Sequence, residues 1–203
     1  MVDVSVLVLV SWLAAPAQTP DAQALITCEF RVFDGGNEIS RQTRVIVYAS
    51  GQREKGVRTD AAGRVRLGAG LYDVQAIRQR NGQVVGIRWL ERLLIARYPD
   101  EEGFHLEVIN FNTRYGSLEL KPVDRTEYDA TAFAPGDHAH PVATALPGAG
   151  YLLLVVPAGR YDVRVRAKGA TGVETWLPQI DVPGGRTRLR MLRPPDGGPA
   201  GDR

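Results

Sequence analysis

Asp137-His138-Ala139-His140 is the one stretch of this 203-residue chain whose side chains could gather around a metal ion, since an H-x-H spacing can offer two imidazoles beside a carboxylate. It lies between Pro135-Gly136 and Pro141, a setting expected of a loop, and the third histidine, His105, is far away in the sequence. His138, His140 and Asp137 are therefore kept as candidate ligands of a metal-binding protein or metal-dependent hydrolase, against the simpler expectation that no metal binds. The serines (Ser5, Ser11, Ser40, Ser50, Ser117) stand in no nucleophile-elbow context, and neither a phosphate loop nor a G-x-G-x-x-G follows a strand. The favoured expectation is a chain that is not an enzyme and needs no cofactor.

Late in the chain the arginines suggest binding instead. Arg164 and Arg166 alternate with Val163 and Val165, and Arg186, Arg188 and Arg190 alternate with Thr187, Leu189 and Met191. In strands, such alternation sends each set of guanidinium groups to one face. If the two strands share a sheet, the five form a basic surface suited to carboxylate or phosphate, as on an anionic polysaccharide or a partner's acidic patch. The competing reading is that they only fill solvated strand positions.

The elements that would carry these groups are announced by a repeat. Ala69-Gly70-Leu71-Tyr72-Asp73-Val74 returns as Ala158-Gly159-Arg160-Tyr161-Asp162-Val163, and a Trp-Leu pair follows each copy, Trp89-Leu90 and Trp176-Leu177. Self-similarity at this period predicts tandem small domains. In each copy Gly70 or Gly159 suits a tight turn through positive φ, Tyr72 or Tyr161 packs its ring inward while its hydroxyl bonds back to the turn, and the strand that follows alternates. Trp89 and Trp176 are expected in the two cores.

With 44% hydrophobic residues, 22 Gly and 13 Pro, the chain can form one or two ordinary cores linked by many turns. The expected fold is all-β, two tandem seven-stranded Greek-key sandwiches of Ig-like or prealbumin-like type. The first module is placed at 25–111, a short linker at 112–116, the second module at 117–193 and a disordered tail at 194–203. Asn81-Gly82 between alternating runs marks a hairpin. Ile87 to Tyr98 also fits a helical face, but its counterpart contains Pro178, so strand is the expectation for both.

Residues 1–24 read as a leader: the apolar run Val4 to Leu13 precedes Ala15-Pro16-Ala17 and Ala22-Gln23-Ala24, with cleavage after Ala17 or Ala24 as alternatives. The run is too short for a comfortable membrane span, which needs about 20 apolar residues. An uncleaved anchor or a plain N-terminal strand are the other readings, because the segment has Asp3 and no basic residue ahead of the run. Export to the periplasm, cell surface or medium follows, with no stable span once the leader is gone. Without it the chain carries 25 basic against 21 acidic side chains, too weak a bias to argue for nucleic acid. The single cysteine, Cys28, excludes an intrachain disulfide. Leu25-Ile26-Thr27-Cys28 faintly suggests a lipobox, but Ile26, Cys28, Phe30 and Val32 alternate as the buried face of a strand.

Arg58-Thr59-Asp60-Ala61-Ala62-Gly63-Arg64-Val65-Arg66-Leu67, followed by Ala69-Gly70-Leu71-Tyr72-Asp73-Val74, resembles the T-D-x-x-G-x-[FV]-x-[FL]…G-x-Y-x-[VL] pattern of carboxypeptidase regulatory-like domains. The second module keeps only Val156 to Val163 of it. The resemblance implies prealbumin-like (transthyretin-like) sandwiches, close in fold to the collagen-adhesin B-type repeats of bacterial surface proteins. It implies accessory modules rather than catalysts. Some adhesin repeats carry a Lys to Asn/Asp isopeptide bond, but Lys55, Lys121 and Lys168 have no matching partner by motif, so none is expected here. The functional expectation is a non-catalytic binding, adhesive or assembly component of the bacterial cell envelope, whose partner is an envelope protein or an anionic polysaccharide.

Overall fold

A computed structural model describes residues 25–96, 104–124, 126–168 and 174–192. The expected leader and tail lie outside these residues. The chain is all-β. Its first sandwich contains β1 (Ile26–Asp34), β2 (Asn37–Glu38), β3 (Thr43–Ala49), β4 (Gly56–Arg58), β5 (Arg64–Leu67), β6 (Gly70–Arg80), β7 (Gln83–Ile95) and β8 (Phe104–Asn110). In one sheet β1 pairs antiparallel with β2 and β5 and parallel with β8; the other runs β4-β3-β6-β7.

The second sandwich repeats the plan with β9 (Tyr115–Pro122), β10 (Tyr128–Phe133), β11 (Pro141–Thr144), β12 (Leu146–Pro147), β13 (Leu152–Pro157), β14 (Gly159–Ala167), β15 (Glu174–Val182) and β16 (Thr187–Leu192). Its sheets run β11-β10-β14-β15 and β12-β13-β9-β16, with β9 and β16 parallel as β1 and β8 are. Among the described residues each sandwich thus has seven principal strands and one two-residue strand, β2 or β12. The ambiguous Ile87 segment is strand through Ile95.

Alternation explains each core. Ile26, Cys28, Phe30 and Val32 of β1 meet Val45, Val47, Val74 and Ala76 inside the first sandwich. Leu118 and Leu120 of β9 meet Leu154, Val156, Val163 and Val165 inside the second. Cys28 is fully buried, and that burial pushes its thiol up to about 12, so it behaves as a small hydrophobe.

The outer face of β1 is buried as well. Phe33, Leu106 and Val108 of the first sandwich pack against Tyr151, Leu153 and Val155 of the second, so the modules share a third apolar layer. Within it the Tyr151 hydroxyl donates to Glu29 Oε1 at 2.7 Å, and Arg64 holds Glu29 Oε2 at 2.9 Å. A buried carboxylate is tolerable only when paired in this way. The modules are therefore joined face to face. At the junction a Cβ on Gly116 would collide with the Pro183 carbonyl oxygen, so only glycine lets β9 pass beneath the β15–β16 turn.

Candidate functional site

The repeated hexapeptide builds the same device twice. The Tyr72 hydroxyl donates to the Gly68 carbonyl at 2.8 Å and the Tyr161 hydroxyl to the Pro157 carbonyl at 2.7 Å, as the sequence led one to expect. The reason given for the glycines needs correction: neither Gly70 nor Gly159 has positive φ, and an added Cβ would make ordinary contact with the tyrosine ring, 3.5 Å from Tyr72 Cε2 and 3.6 Å from the Tyr161 hydroxyl.

Next to each tyrosine, the repeated aspartate, itself buried, clamps two segments of backbone. Asp73 accepts from the amides of Gly51 (3.3 Å) and Arg92 (3.0 Å); Asp162 accepts from those of Gly136 (3.1 Å) and Gln179 (2.9 Å). Arg92 and Gln179 each sit at a bulge in the long hairpin, with φ of 55°. Such a conformation costs a non-glycine residue on the order of 1–3 kcal/mol, so it persists only where the surroundings enforce it. The carboxylates do so. The Gln179 and Gly136 amides, with His138, hold the Asp162 carboxyl down to about 2, and the Arg92 and Gly51 amides lower that of Asp73.

Over each aspartate a nitrogen-bearing side chain from the preceding loop, Arg53 or His138, is sandwiched against tryptophan. Arg53 Nε is 3.3 Å from Asp73 Oδ2, and its guanidinium lies 4.3 Å from the Trp89 ring centre, with Tyr48 alongside. In the second sandwich His138 Nε2 is 3.0 Å from Asp162 Oδ2, the imidazole stacks on Trp176 at 4.1 Å, and Phe133 takes the place of Tyr48. Contrary to the expectation from the sequence, the tryptophans are not core residues. Trp89 lies opposite Gln75 and Trp176 opposite Arg164 on the outer faces, while Leu90 and Leu177 beside them face inward opposite Val74 and Val163. Both are half-buried. Trp176→Ala should accordingly cost roughly 1–2 kcal/mol in denaturant unfolding, below the 3–5 kcal/mol typical of a fully packed aromatic. A loss above ~3 kcal/mol would return the ring to the core.

The other candidates separate. His138 is committed to Asp162, whereas His140 Nδ1 lies 3.1 Å from Asp137 Oδ2, and Asp137 also caps the amides of Ala139 and His140. His105 lies on β8, 3.6 Å from Glu107. Among the described residues no three His, Cys, Asp or Glu side chains gather as a metal site.

Nor do the five arginines share a sheet. Arg164 and Arg166 stand on β14, where Glu174 engages both (3.9 and 3.2 Å) and Arg164 also lies over Phe133. Arg188 and Arg190 stand on β16 in the opposite sheet, with Arg186 just ahead of it, and Arg188 donates to the Asp181 carbonyl at 2.9 Å. Alternation reports the face of a strand, and it is silent on which sheet takes the strand.

Sequence reasoning missed Asp73, Asp162 and Arg53 as the centre of these clusters. The signal is present, since the aspartate is part of the repeat, but strand alternation alone gives it no role.

No protein-family model and no curated protein matches the chain. Among solved structures it is similar to the Bacillus anthracis TIE protein, at 15% identity and a TM-score of 0.29 over 84% of this chain and 34% of that one. It is similar to the minor pilin of Streptococcus agalactiae at 10% identity and a TM-score of 0.25, over 87% and 99% of the two chains. The pilus adhesin SpaC from Lactobacillus rhamnosus GG gives 9% identity and a TM-score of 0.26, over 83% and 31%. The chain thus spans about a third of the length of the Bacillus protein and of the Lactobacillus adhesin.

Proposed function

We propose that the protein is an exported, non-catalytic binding or assembly component of the bacterial cell envelope, working through an envelope protein or an anionic glycan. The observation that carries this reading is the shared apolar layer of Phe33, Leu106, Val108, Tyr151, Leu153 and Val155, which makes one rigid body of two sandwiches. A rigid body presents its edges and loops at fixed spacing, which lowers the ordering cost of engaging a partner. The carboxylates nearest to chemistry support the same reading. Asp73, Asp162 and Asp137 are each committed to backbone amides, and lowered basicity leaves them poor proton acceptors near neutral pH. The apolar run ahead of Ala17 and Ala24 supports export.

Expression of the full chain in a bacterial host, followed by fractionation and mass measurement of the N-terminus, tests the proposal. The expected result is protein in the envelope or medium that begins at Gln18 or Leu25. Full-length chain retained in the cytoplasm would overturn it.

A further inference from the structure

A group of three arginines lies away from the repeated clusters, in the first sandwich. A cleft of about 610 Å³ lies among β1, the start of β3 and the turn that carries the chain from β4 to β5. Three arginines line it: Arg41, Arg44 and Arg58. Among the described residues none of the three has a carboxylate oxygen within ion-pair distance, although the charge of Arg41 helps to lower the Glu38 carboxyl; in the other sandwich Glu174 neutralises Arg164 and Arg166. The Arg44 Nε is buried and has no acceptor. Arg88 Nε and His105 Nε2 are likewise buried without a hydrogen-bond partner, so what distinguishes the cleft is that three guanidinium-bearing side chains line one volume.

One acidic side chain shares the lining with the three arginines, which leaves positive charge in excess. Asp60, which also lines the cleft, uses Oδ1 to accept from the amides of Ala62 (2.9 Å) and Arg64 (2.7 Å), closing the turn. Glu38 is taken by Arg31 and by the Ser40 hydroxyl. The rest of the lining includes the hydroxyl-bearing Ser40, Thr43 and Thr59 together with Ala61. Guanidinium groups beside hydroxyls, in a volume typical of small-ligand sites, suit a hydroxylated ligand that carries a carboxylate or phosphate.

We propose that this cleft binds the anionic group of an acidic sugar, a uronate carboxylate or a sugar phosphate. The proposal rests on the binding reading above and gives it a site and a ligand class. The arginines of β16 are the internal control, because they are equally basic but lie in the other sandwich.

Calorimetric titration of the full chain at low salt with an oligogalacturonide, with inorganic phosphate and with neutral maltotriose tests it. Oligogalacturonide or phosphate should bind, maltotriose should not, and affinity should fall with added salt. Arg44→Gln with Arg58→Gln should weaken binding by about tenfold or more, the loss expected from one or two charge-assisted hydrogen bonds. Arg186→Gln, Arg188→Gln and Arg190→Gln together should leave it intact. Amide shifts at Thr59 and Ala61 on titration of the unaltered protein would locate the ligand without any variant. Binding of phosphate alone supports the site and assigns a phosphoryl ligand.

Undiminished binding in the Arg44/Arg58 variant, or shifts confined to β16, would overturn the site while leaving a binding protein. Failure of both anions to bind the unaltered protein would overturn the proposal, whereas the export reading is decided separately by fractionation.

Discussion

Leu153→Asp should split the unfolding of this protein into two transitions where the unaltered chain shows one. Leu153 is fully buried in the layer between the sandwiches, facing Phe33, Leu106 and Val108. It also pairs across strands with Glu119, which is itself buried, so the new carboxylate would enter an apolar layer beside a like charge. An uncompensated buried charge costs about 3–5 kcal/mol, enough to separate the sandwiches while each keeps its own core. Leu153→Ala, which leaves only a cavity, should cost about 2–5 kcal/mol and keep a single transition. Calorimetry decides the matter: two transitions in the unaltered protein, or a loss under ~1 kcal/mol in Leu153→Ala, would mean that the two sandwiches are not energetically coupled.

The same layer shows how far the sequence could be read. Strand after strand was legible because period-two alternation and turn chemistry coincide, and the repeated Tyr-Asp-Val marked equivalent strands β6 and β14. Alternation assigns the two faces of a strand but cannot say which outer face another domain covers. Phe33 beside Val32, and the unbroken run Leu152-Leu153-Leu154-Val155-Val156, were the available hints, since a strand buried on both faces loses its alternation. The tryptophans were misplaced for a related reason: of two adjacent strand residues only one faces inward, and Leu90 and Leu177 took that side. His138 meets Asp162 and Arg44 meets the cleft only through long-range folding, so no local motif could announce either. The five-arginine surface failed because β14 and β16 belong to different sheets.

The aspartate clamp makes the sharpest statement about solution behaviour. In the folded protein Asp162 titrates at about 2 against an ordinary value of 3.8, because the Gln179 and Gly136 amides, and then His138, donate to its charged form. A carboxyl with a folded value below its unfolded one contributes stability that is fully present above about 3.8 and is lost as pH falls through about 2. Asp162→Asn keeps the shape and removes the charge, leaving one acceptor oxygen and an NH2 group for three donors. The variant should be less stable at neutral pH, and its stability should decline less steeply than that of the unaltered protein between those two pH values. The amides of Gly136 and Gln179 should lose hydrogen-exchange protection, and Asp73→Asn should do the same to Gly51 and Arg92 in the first sandwich. Gln179 would be affected most, because its amide donates to Asp162 while its φ of 55° runs against intrinsic preference. An acid limb as steep in Asp162→Asn as in the unaltered chain, with both amides still protected, would show that the bulge holds itself and that the aspartate is a passenger of the repeat.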